Sequence, residues 1–287
     1  MIGGGGELTG QHLRFGLYLP AMGPLADPTS LVDLAVRAEA AGWDGVFLWD
    51  HVLAGDMPIA DTWTVLAAMA VSTSRILLGP MVTPLPRRRP WVVARQAATV
   101  SSLSHGRLVL GVGLGVDETG DLSSFGEDMP VKERRERLDE GIAIIRRMWS
   151  GGGTSFHGKH YRADLPASPA HAHPLRIWLA SSTGASSVLA RARDNEGIFH
   201  NPDDGLTSSD VADLVARIRP ADQPLPDDFD VVVRGNASSA WPEPHPTDLA
   251  SYAAAGMTWW LEALIYFDPL EMSLDVVDAG PEALNRP

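Results

Sequence analysis

A chain of 287 residues with 45% hydrophobic content can bury one large core, which suits a single barrel of about 250 residues. Its formal charge of −13 repels phosphate backbones and argues against nucleic-acid binding; Arg87-Arg88-Arg89 is too short a basic run to form a stripe and reads as part of a loop. Cysteine is absent, which excludes disulfides, thiolate metal sites and cysteine nucleophiles and suits the reducing cytosol expected for the protein.

Residues 1–12 carry four successive glycines and lack the basic-then-apolar order of a signal peptide, so a flexible leader is expected before one domain over 13–287. No run approaches the roughly 20 apolar residues that span a bilayer. The first strand is expected over Arg14–Leu19, ended by Pro20, and the first helix from about Ser30 to Ala41. Ser30 with Asp33 resembles a capping box, Leu31, Leu34, Ala35 and Ala38 share one face, and Gly42 supplies the stop.

Strand and helix then alternate: strand Gly45–Trp49, helix Thr62–Ser72, strand Arg75–Gly79, helix Pro90–Ser104, strand Arg107–Val112. These strands are continuously apolar, as parallel strands covered on both faces are. Leu138, Ile142, Ile145 and Trp149 mark an amphipathic fourth helix. From Gly151 to Arg162 the pattern lapses into an expected hairpin over the barrel rim, followed by a Pro/His-rich linker. Alternation resumes with strand Arg176–Ala180, helix Ala185–Arg193, strand Gly197–His200, helix Ser208–Ile218, strand Asp230–Arg234, helix Thr247–Ala255 and strand Thr258–Glu262. A last helix follows Pro269. Eight βα pairs in order predict an α/β fold, a (β/α)8 TIM barrel with a short hairpin inserted after the fourth helix.

In such a barrel the chemistry sits where strands hand over to helices. Asp50-His51 is the first polar pair after an apolar strand; His51 there either exchanges a proton with a bound ring system or caps the strand–loop junction. Ser181-Ser182-Thr183-Gly184 precedes a helix and reads either as a phosphate cradle or as plain N-capping. Gly111, Gly113 and Gly115 are spaced G-x-G-x-G, not as a dinucleotide fingerprint, and are expected to let a flat ligand approach the backbone. His157, His160, His171 and His173 fall in the insertion and linker, where solvated histidines are commoner than ligands, so no metal is expected. Of Trp259-Trp260, one ring should face the barrel and the other the helices.

The stretch from Leu77 to Gly115, LLGPMVTPLPRRRPWVVARQAATVSSLSHGRLVLGVGLG, resembles the core signature of the luciferase-like monooxygenases. The similarity extends through GWDGVFLWDHVL, DTWTVLAAMA, SFHGKHYR, IWLASSTGAS and GMTWWLE, from about Arg14 to Glu262. It implies a barrel that binds FMN, or the 5-deazaflavin coenzyme F420, across the strand ends. By this resemblance His51 matches a histidine at the reactive flavin edge, and Met81-Val82 a bulge with a cis non-prolyl peptide supporting the ring's face. Ser181 and Ser182 align with the loop that holds the flavin phosphate. The expected site is thus His51 as the catalytic group, with Asp50, Met81, Val82, Thr83, Gly113, Ser181, Ser182 and Thr183 around the cofactor. Two positions depart from the pattern: Val116 stands where several deazaflavin dehydrogenases carry a proton-donating glutamate, and Leu114 where luciferase carries a phosphate-binding arginine.

The leading expectation is an FMN-dependent monooxygenase that oxygenates a small organic substrate, with reduced flavin supplied by a partner reductase. The alternatives are F420-dependent hydride transfer and a non-catalytic flavin-binding protein. A metal-dependent barrel hydrolase would want an H-x-H pair leaving the first strand, and Gly16–Pro20 holds no histidine. The loop Asp117–Gly126 and the hairpin are expected to form a lid. A homodimer paired through the second and third helices is expected from the same resemblance.

Overall fold

Apolar runs flanked by amphipathic helices have one economical solution, a parallel sheet closed on itself inside a ring of helices. The computed structural model describes residues 13–202, 205–220, 225–236, 248–265 and 267–285 and has this architecture. Its strands are β1 (Arg14–Leu19), β2 (Gly45–Leu48), β3 (Leu77–Pro80), β4 (Thr83–Pro84), β5 (Val109–Gly113), β6 (Thr154–His157), β7 (Arg162–Leu165), β8 (Arg176–Ser181), β9 (Gly197–His200), β10 (Asp230–Gly235) and β11 (Trp259–Ala263). Nine of these are parallel and run β3-β2-β1-β11-β10-β9-β8-β5-β4 around the barrel. Leu78 bridges Leu108 beside β5, so β3 and β4 are two halves of one stave and the ring has eight. The hairpin β6–β7 is antiparallel and separate, as expected. The expected leader lies outside the described residues.

The helices are α1 (Pro28–Ala41), α2 (Thr62–Ser72), α3 (Pro90–Leu103), α4 (Val131–Ser150), α5 (Ser186–Arg193), α6 (Ser208–Ile218), α7 (Leu249–Ala254) and α8 (Leu270–Ala279). None of them is long and apolar enough to cross a membrane. Strand alternation divides the core into two shells. Phe47, Met81, Val109, Trp178, Val232, Trp259 and Leu261 fill the barrel interior, while Trp260 joins the layer between strands and helices. Trp259 and Trp260 therefore face opposite ways, as the alternation predicts.

The structure shifts several boundaries, each for a polar reason. Helix α1 starts at Pro28, not Ser30: Asp27 is the N-cap and accepts from Ser30 N at 2.7 Å, while proline suits the first helical position. The third strand begins at Leu77, not Arg75, because the Glu39 carboxylate collects the backbone N–H groups of Ser74, Arg75 and Ile76 at 2.6–3.0 Å. The fifth begins after Arg107, whose buried guanidinium caps the end of α2 at the carbonyls of Ala70 and Thr73. The glycines of the G-x-G-x-G run answer to protein packing. A Cβ on Gly111 would lie 2.3 Å from the Pro80 oxygen, and one on Gly113 would lie 2.8 Å from Val82 Cγ2. They let β5 close against the break between β3 and β4, and Gly113 and Gly115 also line the cavity described below.

Candidate active site

The packed interior stops short of the strand C-termini, leaving a cavity of about 400 Å³ at the mouth. Its wall carries Tyr18 from β1, Trp49, Asp50 and His51 after β2, Met81 and Val82, Gly113 to Val116 after β5, Ser181 to Thr183 after β8, and Phe199 and Asn201 at the end of β9. Six staves of sequence thus converge on one space, as the barrel topology demands. The Met81–Val82 peptide bond is cis, as the resemblance implied.

His51 is held by a residue that sequence reasoning did not single out. Asp121, in the loop after β5, faces His51 Nδ1 at 2.5 Å. The same carboxylate accepts from Val52 N and Leu53 N, each at 2.9 Å, and pairs with Arg87 at 3.1 Å. Burial pushes the Asp121 carboxyl up, but the His51 and Val52 hydrogen bonds and the charges of His51 and Arg87 outweigh it and hold the pKa far below the usual carboxylate range. An ionised carboxylate cannot donate, so the proton on this contact belongs to Nδ1, and in the neutral imidazole Nε2 is then the acceptor. The 117–126 loop is therefore stapled to the His51 loop.

Asp50 is buried behind His51 and fully engaged. Arg88 donates to its Oδ1 at 2.5 Å, Thr83 Oγ1 to its Oδ2 at 2.8 Å, and Arg87 to its backbone oxygen at 2.9 Å. Two of the three arginines read as part of a loop thus neutralise two buried carboxylates, Asp50 and Asp121. Thr83 does not line the cavity. Its hydroxyl, wholly buried, takes a bond from Trp63 Nε1 at 3.2 Å while giving one to Asp50. Thr83 supports the wall from behind.

On the far side, Ser181 Oγ accepts from Gly184 N at 3.0 Å and shapes the loop into α5. Helix α5 has Ala185 at its N-cap with no side-chain cap, so plain N-capping does not account for Ser182 and Thr183. The hairpin contributes nothing to the cavity wall. Glu140 fastens it to α4 through the N–H groups of Lys159, His160 and Tyr161, which corrects its assignment to a lid. Its histidines pair with carboxylates, His160 with Glu136 at 2.7 Å and His157 with Asp164 at 3.1 Å. Among the described residues no group of three histidine, aspartate or glutamate side chains is placed to hold a metal.

A family model described as luciferase-like monooxygenase matches residues 9–269. The chain belongs to this family. Among its relatives, the F420-dependent glucose-6-phosphate dehydrogenase of Nakamurella multipartita is 37% identical over 64% of this chain and 55% of that protein. That of Intrasporangium calvum is 38% identical over 63% and 61%. This luciferase-like chain thus spans little more than half the length of these relatives. Of solved structures, the F420-dependent tetrahydromethanopterin reductase of Methanopyrus kandleri superposes with a TM-score of 0.74 at 17% identity, covering 95% of this chain and 99% of that one. The monooxygenase RslO1 of Streptomyces bottropensis gives 0.74 at 22%, covering 92% and 96%. At such identities the likeness shows the fold alone.

The expectation of an FMN-dependent monooxygenase is corrected by the sequence relatives, which are named for F420-dependent dehydrogenation. The barrel and the Leu77–Gly115 block could not separate the two chemistries, because oxygenase and reductase members share this scaffold.

Proposed function

We propose that the chain is an F420-dependent oxidoreductase that transfers hydride to or from an alcohol or carbonyl carbon. One observation carries the site assignment: the Met81–Val82 bulge, the His51–Asp121 pair and the loop before α5 share one wall-lined slot. The residues present fit the cofactor. Met81, Val82 and Gly113 supply a flat apolar support, and the Ser181–Thr183 loop with the uncapped start of α5 supplies donors for its phosphate. When bound, the deazaflavin supplies a hydride acceptor or donor and no oxygen chemistry.

The protein's residues do the rest. His51 takes the hydroxyl proton of the substrate at Nε2, and Asp121 stabilises the imidazolium that results. Leu114, Val116, Val131 and Val188 give the wall around the reacting carbon its apolar character. The lining also bears on the substrate. Arg135 is its one arginine or lysine among the described residues, and Arg87 and Arg88 are spent on Asp121 and Asp50. The segments outside the described residues contain one arginine or lysine, Arg286 at the C-terminus. Arg234 lies outside the lining, with its Nε engaged by Asn201, so a phosphate dianion finds few cations here and the substrate we propose is uncharged, unlike the sugar phosphate in the relatives' names.

Titration of the purified protein with F420 and with FMN, in both redox states, tests this. The expected result is tight F420 binding, loss of the oxidised F420 absorbance on adding a secondary alcohol, and no oxidation of glucose 6-phosphate. Preference for FMN, or oxygen consumption with reduced FMN, would overturn it.

A further inference from the structure

Tyr18 is a polar group of the cavity that the scheme above leaves idle. On β1, Gly16 and Tyr18 point inward, and Tyr18 is the last such residue before the chain leaves the stave. Its side chain is 8% exposed and lines the cavity. Its hydroxyl has no hydrogen-bond partner among the described residues, whereas the carboxylates of Asp50 and Asp121 and the hydroxyl of Ser181 are all engaged. The ring is fixed between Trp49 and Phe199, with centroids 5.2 and 5.4 Å away, so the phenol cannot swing aside to find a partner. The hydroxyl opens to the cavity, where a ligand oxygen would give it the partner that the described residues do not.

The phenol is also in the right protonation state to donate. Burial pushes its pKa up to about 12, outweighing the downward pull of Arg234. Position separates Tyr18 from the cofactor supports. Met81, Val82 and Ser181 sit on the β3–β4 and β8 staves, while Tyr18 sits on β1, next to the β2 stave that delivers His51. The wall at Gly115 and Val116 offers no side-chain donor that would compete for the same oxygen.

We propose that Tyr18 donates its hydroxyl hydrogen to the substrate oxygen while His51 Nε2 handles that oxygen's proton. The assignment rests on the hydride-transfer reading above. In the oxidising direction the O–H proton passes to His51, the carbon's hydride passes to the cofactor and the C=O bond forms. Tyr18 keeps its own proton and stabilises the negative charge that builds on oxygen.

The chain has four tyrosines, so Cζ-labelled tyrosine gives a simple carbon-13 spectrum, and Tyr18→Phe identifies the resonance. Acetone and 2-propanol, the smallest ketone–alcohol pair, serve as probes on the protein loaded with F420. The Tyr18 signal is expected to shift when either probe is added and to move little on loading F420 alone. Y18F should bind F420 within about twofold of wild type and lose about 100-fold in kcat/KM for 2-propanol, the lower end of the effect seen when an oxyanion donor is removed. An unmoved signal, or an active wild type matched by Y18F, would sink the proposal. So would a fall in F420 affinity equal to the fall in turnover, which would assign the hydroxyl to the cofactor. Wild type that binds no F420 fails at the first titration, which marks the error as lying in the hydride-transfer reading.

Discussion

The chemistry assigned to His51 depends on one contact, the 2.5 Å approach of Asp121 to Nδ1. Replacing Asp121 by asparagine keeps an acceptor for Val52 N and Leu53 N but removes the charge and lets the imidazole take its other tautomer. D121N is expected to lower kcat/KM by at least about tenfold, with cofactor affinity kept, and H51A to lower it further, with melting temperature nearly unchanged. If the two residues act as one unit, the double variant is no worse than H51A alone. Additive losses, measured on the same substrate, would show that Asp121 acts elsewhere.

Elements in this protein are trimmed by side chains that take over backbone bonds. Glu39 on α1 is the clearest case, since its carboxylate replaces the strand partners of residues 74–76 and fastens α1 to the start of β3. Partial burial pushes its pKa up, but the hydrogen bonds from Ile76, Arg75 and Ser74 prevail and bring it down to about 2. A folded-state pKa below the unfolded value contributes stability that is present above the unfolded pKa and lost as pH falls through the folded one. The gap in melting temperature between wild type and E39Q should therefore be full above about pH 4.5 and shrink toward pH 2. At neutral pH the substitution is expected to cost about 1–3 kcal/mol, because three donors lose a charged acceptor. A gap that is flat across this range would mean that the carboxylate's charge contributes nothing.

At the scale of the whole molecule, ring closure is secured at the base of the barrel by Asp230. Its buried carboxylate takes bonds from Arg14 on β1, from Arg176 at 3.1 Å and Trp178 Nε1 at 3.1 Å on β8, and from Thr258 and Trp259 Nε1 at 3.2 Å at the start of β11. Removing one partner from such a cluster leaves the remaining charges and indoles unsatisfied. D230A is expected to lose about 3–5 kcal/mol in denaturant unfolding, and D230N, which keeps an acceptor, clearly less. Equal losses would mean that volume, not hydrogen bonding, matters at the base.

The eight staves, the hairpin and the rim position of His51 were legible in the residues because each depends on local periodicity or on where an apolar run ends. Strand boundaries at Arg75 and Arg107 were not, since the groups that displace the ladder there, Glu39 and the carbonyls of α2, come from other elements. The arginine run was read as loop, and nothing local reveals that Asp50 and Asp121 pair with it there.

What the amino-acid order determined alone is the alternation of buried strands and amphipathic helices, and with it a barrel whose functional groups gather at one end. What only the tertiary structure decided is which of those groups meet. Asp121 reaches His51 across 70 residues, and the Tyr18 hydroxyl opens onto the same cavity without a partner among the described residues. Periodicity reports each element's own geometry. Contacts between staves exist only once the ring has closed and fixed their register, so no local pattern can carry them.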